Sequence, residues 1–187
     1  MEQETAPQRV NFSIKEKRKS MTTEIEQTKT LINIWQKIIN VLQSMLNIKK
    51  GIVKGIVIHH SASPITTTLD EINQWHKDRD FTLSKLGFFI GYHFVVFPDG
   101  HIIQTRLDNE EGCHTKGYNK GNIGICLVGN FNEYKPTPEQ WKALTKLIAE
   151  KKAQYFIDNK EIKVHSDFSN TECPGDNLRA MIKTKYA

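Results

Sequence analysis

The stretch IVKGIVIH, residues 52–59, decides how the rest of the chain is read. Five of its eight residues are β-branched and apolar, and the run has the length of a strand. It ends on a histidine, His59, followed at once by a second, His60. Side chains alternate along a strand, so these two point to opposite faces of any sheet it joins.

Outward from this strand toward the C-terminus, strands and helices alternate. Residues 68–80 predict a helix, with Thr68 and Glu71 as a capping box and Leu69, Ile72, Trp75 and His76 on one face. Residues 89–97 and 101–106 flank the turn Pro98-Asp99-Gly100 and predict a hairpin. IGICLVG, residues 123–129, is a short apolar strand of the kind found at a sheet centre. Thr137-Pro138-Glu139 opens a helix with an N-cap, a proline at the first helical position and an acid in the first turn, running to about residue 157. A strand at 162–165 and a helix at 177–185 complete an α/β layered domain over residues 51–187.

Toward the N-terminus the period changes. Residues 1–22 are polar, with KEKRK at 15–19, and read as disordered. Residues 23–50 read as an amphipathic helix: Ile25, Thr28, Ile32, Trp35, Ile39, Leu42 and Leu46 recur at alternating three- and four-residue steps, widened by Leu31, Ile38 and Met45. Such a stripe packs on the following domain, on a copy of itself, on another protein such as a virion component, or on a membrane surface. Asn33, Gln36, Lys37, Asn40, Gln43, Ser44 and Asn47 interrupt it too often for a transmembrane span.

The first twenty residues have no apolar core or cleavage site of a secretory signal. The expected location is therefore cytoplasmic until release, or virion-associated. Three cysteines in 187 residues are too few and too irregular for a disulfide framework. A net charge of +5 suits an anionic polymer, nucleic acid or bacterial wall, although a solvated basic surface gives the same balance. The basic residues form no nucleic-acid reading motif, so no nucleic-acid partner is expected.

His59, His165 and Cys173 are candidate metal ligands. The histidines sit at strand ends, and Cys173 lies eight residues after His165 on a loop held by Pro174 and Gly175. Three protein ligands with a fourth position open suit metal-assisted hydrolysis, whereas a closed set of four suits a structural zinc. Spacing alone leaves a second reading open. A lone histidine is more often a surface or core residue, and a lone cysteine a small buried hydrophobe.

Four segments bear on that choice: IVIHHSAS (56–63), GYHFVVFPDGHI (91–102), GCHTKGYNKGNIGICLVGNF (112–131) and HSDFSNTECPGD (165–176). In this order and spacing they resemble the amidase domain shared by phage lysozymes of the amidase type and the peptidoglycan recognition proteins. The resemblance spans about residues 51–183. It implies a central mixed β-sheet flanked by helices, to which the N-terminal helix read from the apolar period at 23–50 is an addition. It also implies a zinc-dependent N-acetylmuramoyl-L-alanine amidase acting on bacterial peptidoglycan, with one Zn²⁺ per chain on His59, His165 and Cys173. Tyr92 matches the family's active-site tyrosine. Thr171 matches a position that assists the reaction, where relatives carry lysine or threonine. His114 and Asn119 match muropeptide contacts, with Lys116 or Lys120 facing a stem-peptide carboxylate; His114 is also the one rival for a metal position, although the family's triad is complete without it. The resemblance also leaves room for a binding-only module, since some relatives have lost the metal, but those typically lack the cysteine. His76, His93 and His101 read as structural or surface residues, and Cys113 and Cys126 as packing residues.

Overall fold

The computed structural model describes residues 6–187, which divide into two compact units between Asn47 and Ile48. The first is carried by α1, Ala6–Ile52, a helix of 47 residues that continues past the division. It begins well before the expected start at Thr23, so the stretch expected to be disordered through residue 22 is helical from Ala6 onward. Residues 1–5 of that stretch lie outside the described residues. The cause is local. Pro7 lies in the first turn, where its missing N–H is not needed, and neither glycine nor proline follows until Gly51. Thr22 and Thr23 fold their hydroxyls back onto the Arg18 and Lys19 carbonyls at 2.8 and 3.0 Å, so both donors are satisfied within the helix, which runs on through the pair. The apolar stripe is exposed along its length, Trp35 at 62%. Among the described residues no helix is long and apolar enough to cross a membrane.

The second unit is a five-stranded mixed sheet with helices on both faces. Its strands are β1 (Gly55–His60), β2 (Phe94–Val96), β3 (Ile102–Gln104), β4 (Asn122–Leu127) and β5 (Ile162–Val164), in the order β3-β2-β4-β1-β5. β1 runs parallel to both β4 and β5, and β4 parallel to β2; only the β2–β3 pair is antiparallel. The apolar IGICLVG segment supplies the central strand, as its composition predicts. The hairpin is shorter than expected, and residues 89–93 are not strand. Gly91 and Tyr92 there bond instead to His76 and Thr105.

Alternation along the strands sorts the core. Ile56 and Ile58 of β1, Phe94 and Val96 of β2, and Ile123, Ile125 and Leu127 of β4 pack with Leu144 and Ile148 of α3 (Pro138–Tyr155) and Leu178 and Ile182 of α4 (Asp176–Tyr186). On the other face Val95, Phe97 and Val128 meet Ile72 of α2 (Leu69–Lys77). The capping box of α2 forms as read: Thr68 Oγ1 accepts from the Glu71 N–H, and the Glu71 carboxylate accepts from the Thr68 N–H at 2.7 Å. Thr137 caps α3, and the buried Gln140 donates to the carbonyls of Val96 and Val128 at 3.0 Å each, tying α3 to the sheet.

Candidate metal centre and active site

The chemistry-bearing residues gather where β1 and β5 end, on the sheet face that α2 covers. His59 and His60 diverge as strand alternation requires. His60 lies with the α3–α4 side, its Nδ1 accepting from the Phe131 N–H. His59 takes the other face and pairs in register with Cys126 of β4. β5 ends at Val164, and His165 opens the short helical turn His165–Asp167. The loop that follows returns Cys173 to the end of β1. Ser166 donates to the Cys173 carbonyl at 3.0 Å, and the His60 N–H points at Cys173 Sγ from 3.5 Å. Gly175 makes the return possible: its φ is +88°, and a Cβ there would lie 2.4 Å from the carbonyl carbon of Phe131.

One ligand atom from each of His59, His165 and Cys173 lies within 4.8 Å of the other two. His59 Nδ1 faces Cys173 Sγ at 3.6 Å, and the rings of His59 and His165 are 4.6 Å apart. Among the described residues no fourth histidine, cysteine or acid joins the group. Imidazole and thiolate donors suit zinc over the hard cations, and a set of three leaves one position for a reacting molecule. Electrostatics favours the same use. Burial first, then the neighbouring His114 and His165, holds the His59 imidazole well below its usual range, so it is neutral with a free lone pair. Burial pushes the Cys173 thiol up to about 12, opposed by the His60 N–H and by Arg179. A thiol in that setting ionises near neutral pH only against a bound cation.

Tyr92 is half-buried, its ring 5.1 Å from that of His59 and 5.3 Å from that of His76. Its backbone is fixed on both sides. The Gly91 N–H donates to His76 Nδ1 at 3.0 Å, and Thr105 Oγ1 donates to the Tyr92 carbonyl at 2.8 Å. Burial, then the sulfur atoms of Cys126 and Cys173, holds the phenol well above its usual range, so it remains a proton donor. Thr171 lies beside the cysteine and accepts from the Cys173 N–H at 3.3 Å.

The expected substrate contacts separate into two kinds. Lys116 and Lys120 are exposed, free to meet an anionic group. His114 is only 8% exposed, with its ring turned inward to His59, Thr115 and Asn122. Asn119 Oδ1 is occupied by the N–H groups of His114 and Thr115, at 2.9 and 2.7 Å, and so clamps the loop. Thr115, unmarked in the sequence reading, reaches His59 Nε2 with its hydroxyl at 3.3 Å. The one signal for it was adjacency to His114. His76 and His93 each accept a backbone N–H inside the fold, and His101 pairs with Asp99 at the surface. All three cysteines are free thiols.

The family model described as N-acetylmuramoyl-L-alanine amidase matches residues 49–176. The endolysin of Klebsiella phage KP32 is 34% identical over 138 residues, covering 70% of this chain and 86% of the relative. Mouse peptidoglycan recognition protein 3 is 35% identical over 131 residues, 69% of this chain and 38% of that longer protein. Among solved structures, the N-acetylmuramoyl-L-alanine amidase LysC from Clostridium intestinale URNW superposes with a TM-score of 0.63. It is 36% identical, and the match covers 73% of this chain and 87% of that one.

Proposed function

The chain belongs to the N-acetylmuramoyl-L-alanine amidase family, and from that premise we propose how its own residues carry out the reaction. It is a peptidoglycan amidase, a hydrolase related to phage endolysins. The bond we assign is the amide between the muramic-acid lactyl group and the first L-alanine of the stem peptide.

The observation that carries the reading is the convergence of His59, His165 and Cys173 to within 4.8 Å beside the ring of Tyr92. These three residues would hold one zinc per chain. Zinc bound there supplies Lewis-acid polarisation of the scissile carbonyl and lowers the pKa of water toward ~7. Tyr92, kept protonated by its burial, orients the attacking water and hydrogen-bonds the reacting centre. Thr171 offers its hydroxyl to the developing oxyanion, without the positive charge a lysine would bring. Lys116 and Lys120 draw the stem-peptide carboxylates by charge. A binding-only module has no need of the cysteine, and this chain retains Cys173 with both histidines.

Peptidoglycan is the substrate, so the enzyme acts at the cell wall, reached by release from the cytoplasm or from a virion. α1 serves placement: its exposed stripe attaches the enzyme to a copy of itself or to another protein. Mass spectrometry of digested sacculi tests the assignment. Free stem peptides with an L-alanine amino terminus are expected. Disaccharide products, or none, would overturn it.

A further inference from the structure

His59 has two ring nitrogens, and a metal ligand must present the one without a proton. Nδ1 faces Cys173 Sγ at 3.6 Å, so the proton has to reside on Nε2. The surroundings of Nε2 enforce this.

The enforcement begins at a backbone carbonyl. His114 Nε2 lies 3.3 Å from the Asn122 carbonyl oxygen, which can only accept, so this nitrogen carries the His114 hydrogen. His114 Nδ1 is then a bare acceptor. Thr115 Oγ1 at 2.9 Å and His59 Nε2 at 3.2 Å are the groups facing it. An unprotonated His59 Nε2 would set two lone pairs against each other at that distance. Protonated, it donates to His114 Nδ1 or to Thr115 Oγ1 at 3.3 Å, and both routes leave Nδ1 free for the metal.

The seat of the His114 ring is cleared by two glycines. A Cβ on Gly112 or on Gly124 would lie 2.5 Å from His114 Cδ2, closer than packed atoms approach. Asn119 fixes the backbone of the same residue by accepting its N–H at 2.9 Å. The ring therefore fills space that a side chain at either glycine would take, and only 8% of the residue is exposed. A substrate contact would not need such a seat.

We propose that His114 is a positioning residue: the chain from the Asn122 carbonyl through His114 and Thr115 to His59 Nε2 locks His59 in the tautomer that presents Nδ1 to the metal. The inference rests on the metal reading above for its purpose, but not for its geometry. Outer partners of this kind are worth ~10–100-fold in metal affinity.

The test has two measurements. Long-range ¹H–¹⁵N NMR of the metal-free full-length protein reads the tautomer of each imidazole directly. His59 and His114 are both expected as the Nε2–H form; a His59 carrying its proton on Nδ1 overturns the proposal. Chelator competition then reads zinc affinity. His114→Leu should bind zinc ~10–100-fold more weakly. His114→Asn, which returns an acceptor near the Nδ1 position, should recover most of the loss. Gly124→Ala, which crowds the ring without removing it, should weaken binding in the same direction. A folded His114→Leu that binds zinc as tightly as the parent also overturns the proposal. If the parent itself fails to bind zinc, the metal reading fails, while the NMR tautomer still decides this one.

Discussion

His59 Nδ1 and Cys173 Sγ stand 3.6 Å apart although 114 positions separate them in the chain. The end of β1 holds the first, and the loop after β5 returns the second. Zinc content should depend on both partners and on His165. Cys173→Ser and His165→Ala are each expected to lose most of the metal while keeping the fold, as read by elemental analysis beside circular dichroism. Parental zinc in both variants would show that the ligands lie elsewhere.

Tyr92→Phe separates chemistry from binding. The ring and its packing against His59 and His76 remain, and only the hydroxyl goes. Turnover is expected to fall by ~10²-fold or more, the usual contribution of a positioned proton-handling group. Zinc content and sacculus binding should be unchanged. Wall clearing within twofold of the parent would remove the tyrosine from the mechanism.

Buried neutral histidines make the domain acid-labile. Burial, reinforced by Arg179, holds His60 down at about 4, and burial with Arg79 does the same for His76. Both titrate near 6.5 when unfolded, so between those values the unfolded chain binds more protons and stability rises with pH. The stabilisation is complete above about 6.5 and is lost as pH falls toward about 4. Melting of metal-free protein should therefore move to lower temperature stepwise from pH 7 to pH 4.5. A flat profile would mean that these rings are solvated.

The catalytic unit should stand alone. The family match begins at residue 49, and the core that starts with Val53 is drawn from residues beyond α1's exposed stripe. A 51–187 fragment is expected to fold as a monomer and hydrolyse peptidoglycan. Sedimentation of both forms reads the role of α1: association confined to the full-length chain would assign the stripe to self-pairing. An insoluble or inactive fragment would make α1 part of the fold.

Much of this molecule is decided locally, and those parts are legible in sequence. The Thr68–Glu71 box, the Thr137-Pro138 start of α3 and the apolar β4 depend on neighbours within a few residues, so composition and spacing suffice. Strand alternation likewise separates His59 from His60 without a structure. Helix length was less legible: polar residues 6–22 resemble a disordered tail in composition, yet after Pro7 in the first turn neither glycine nor proline interrupts them, and the helix propagates. The motifs named the candidate ligands, but their convergence depends on parallel pairing of β1 with β4 and β5, a choice made by the whole sheet. The orientation of His114 was beyond any local rule. Its loop position resembles a substrate contact, and only the packing of Gly112, Gly124, Asn119 and Asn122 around one ring turns it inward. Hydrogen-bond direction within a buried cluster is set by which acceptors close around it, and those come from segments distant in sequence.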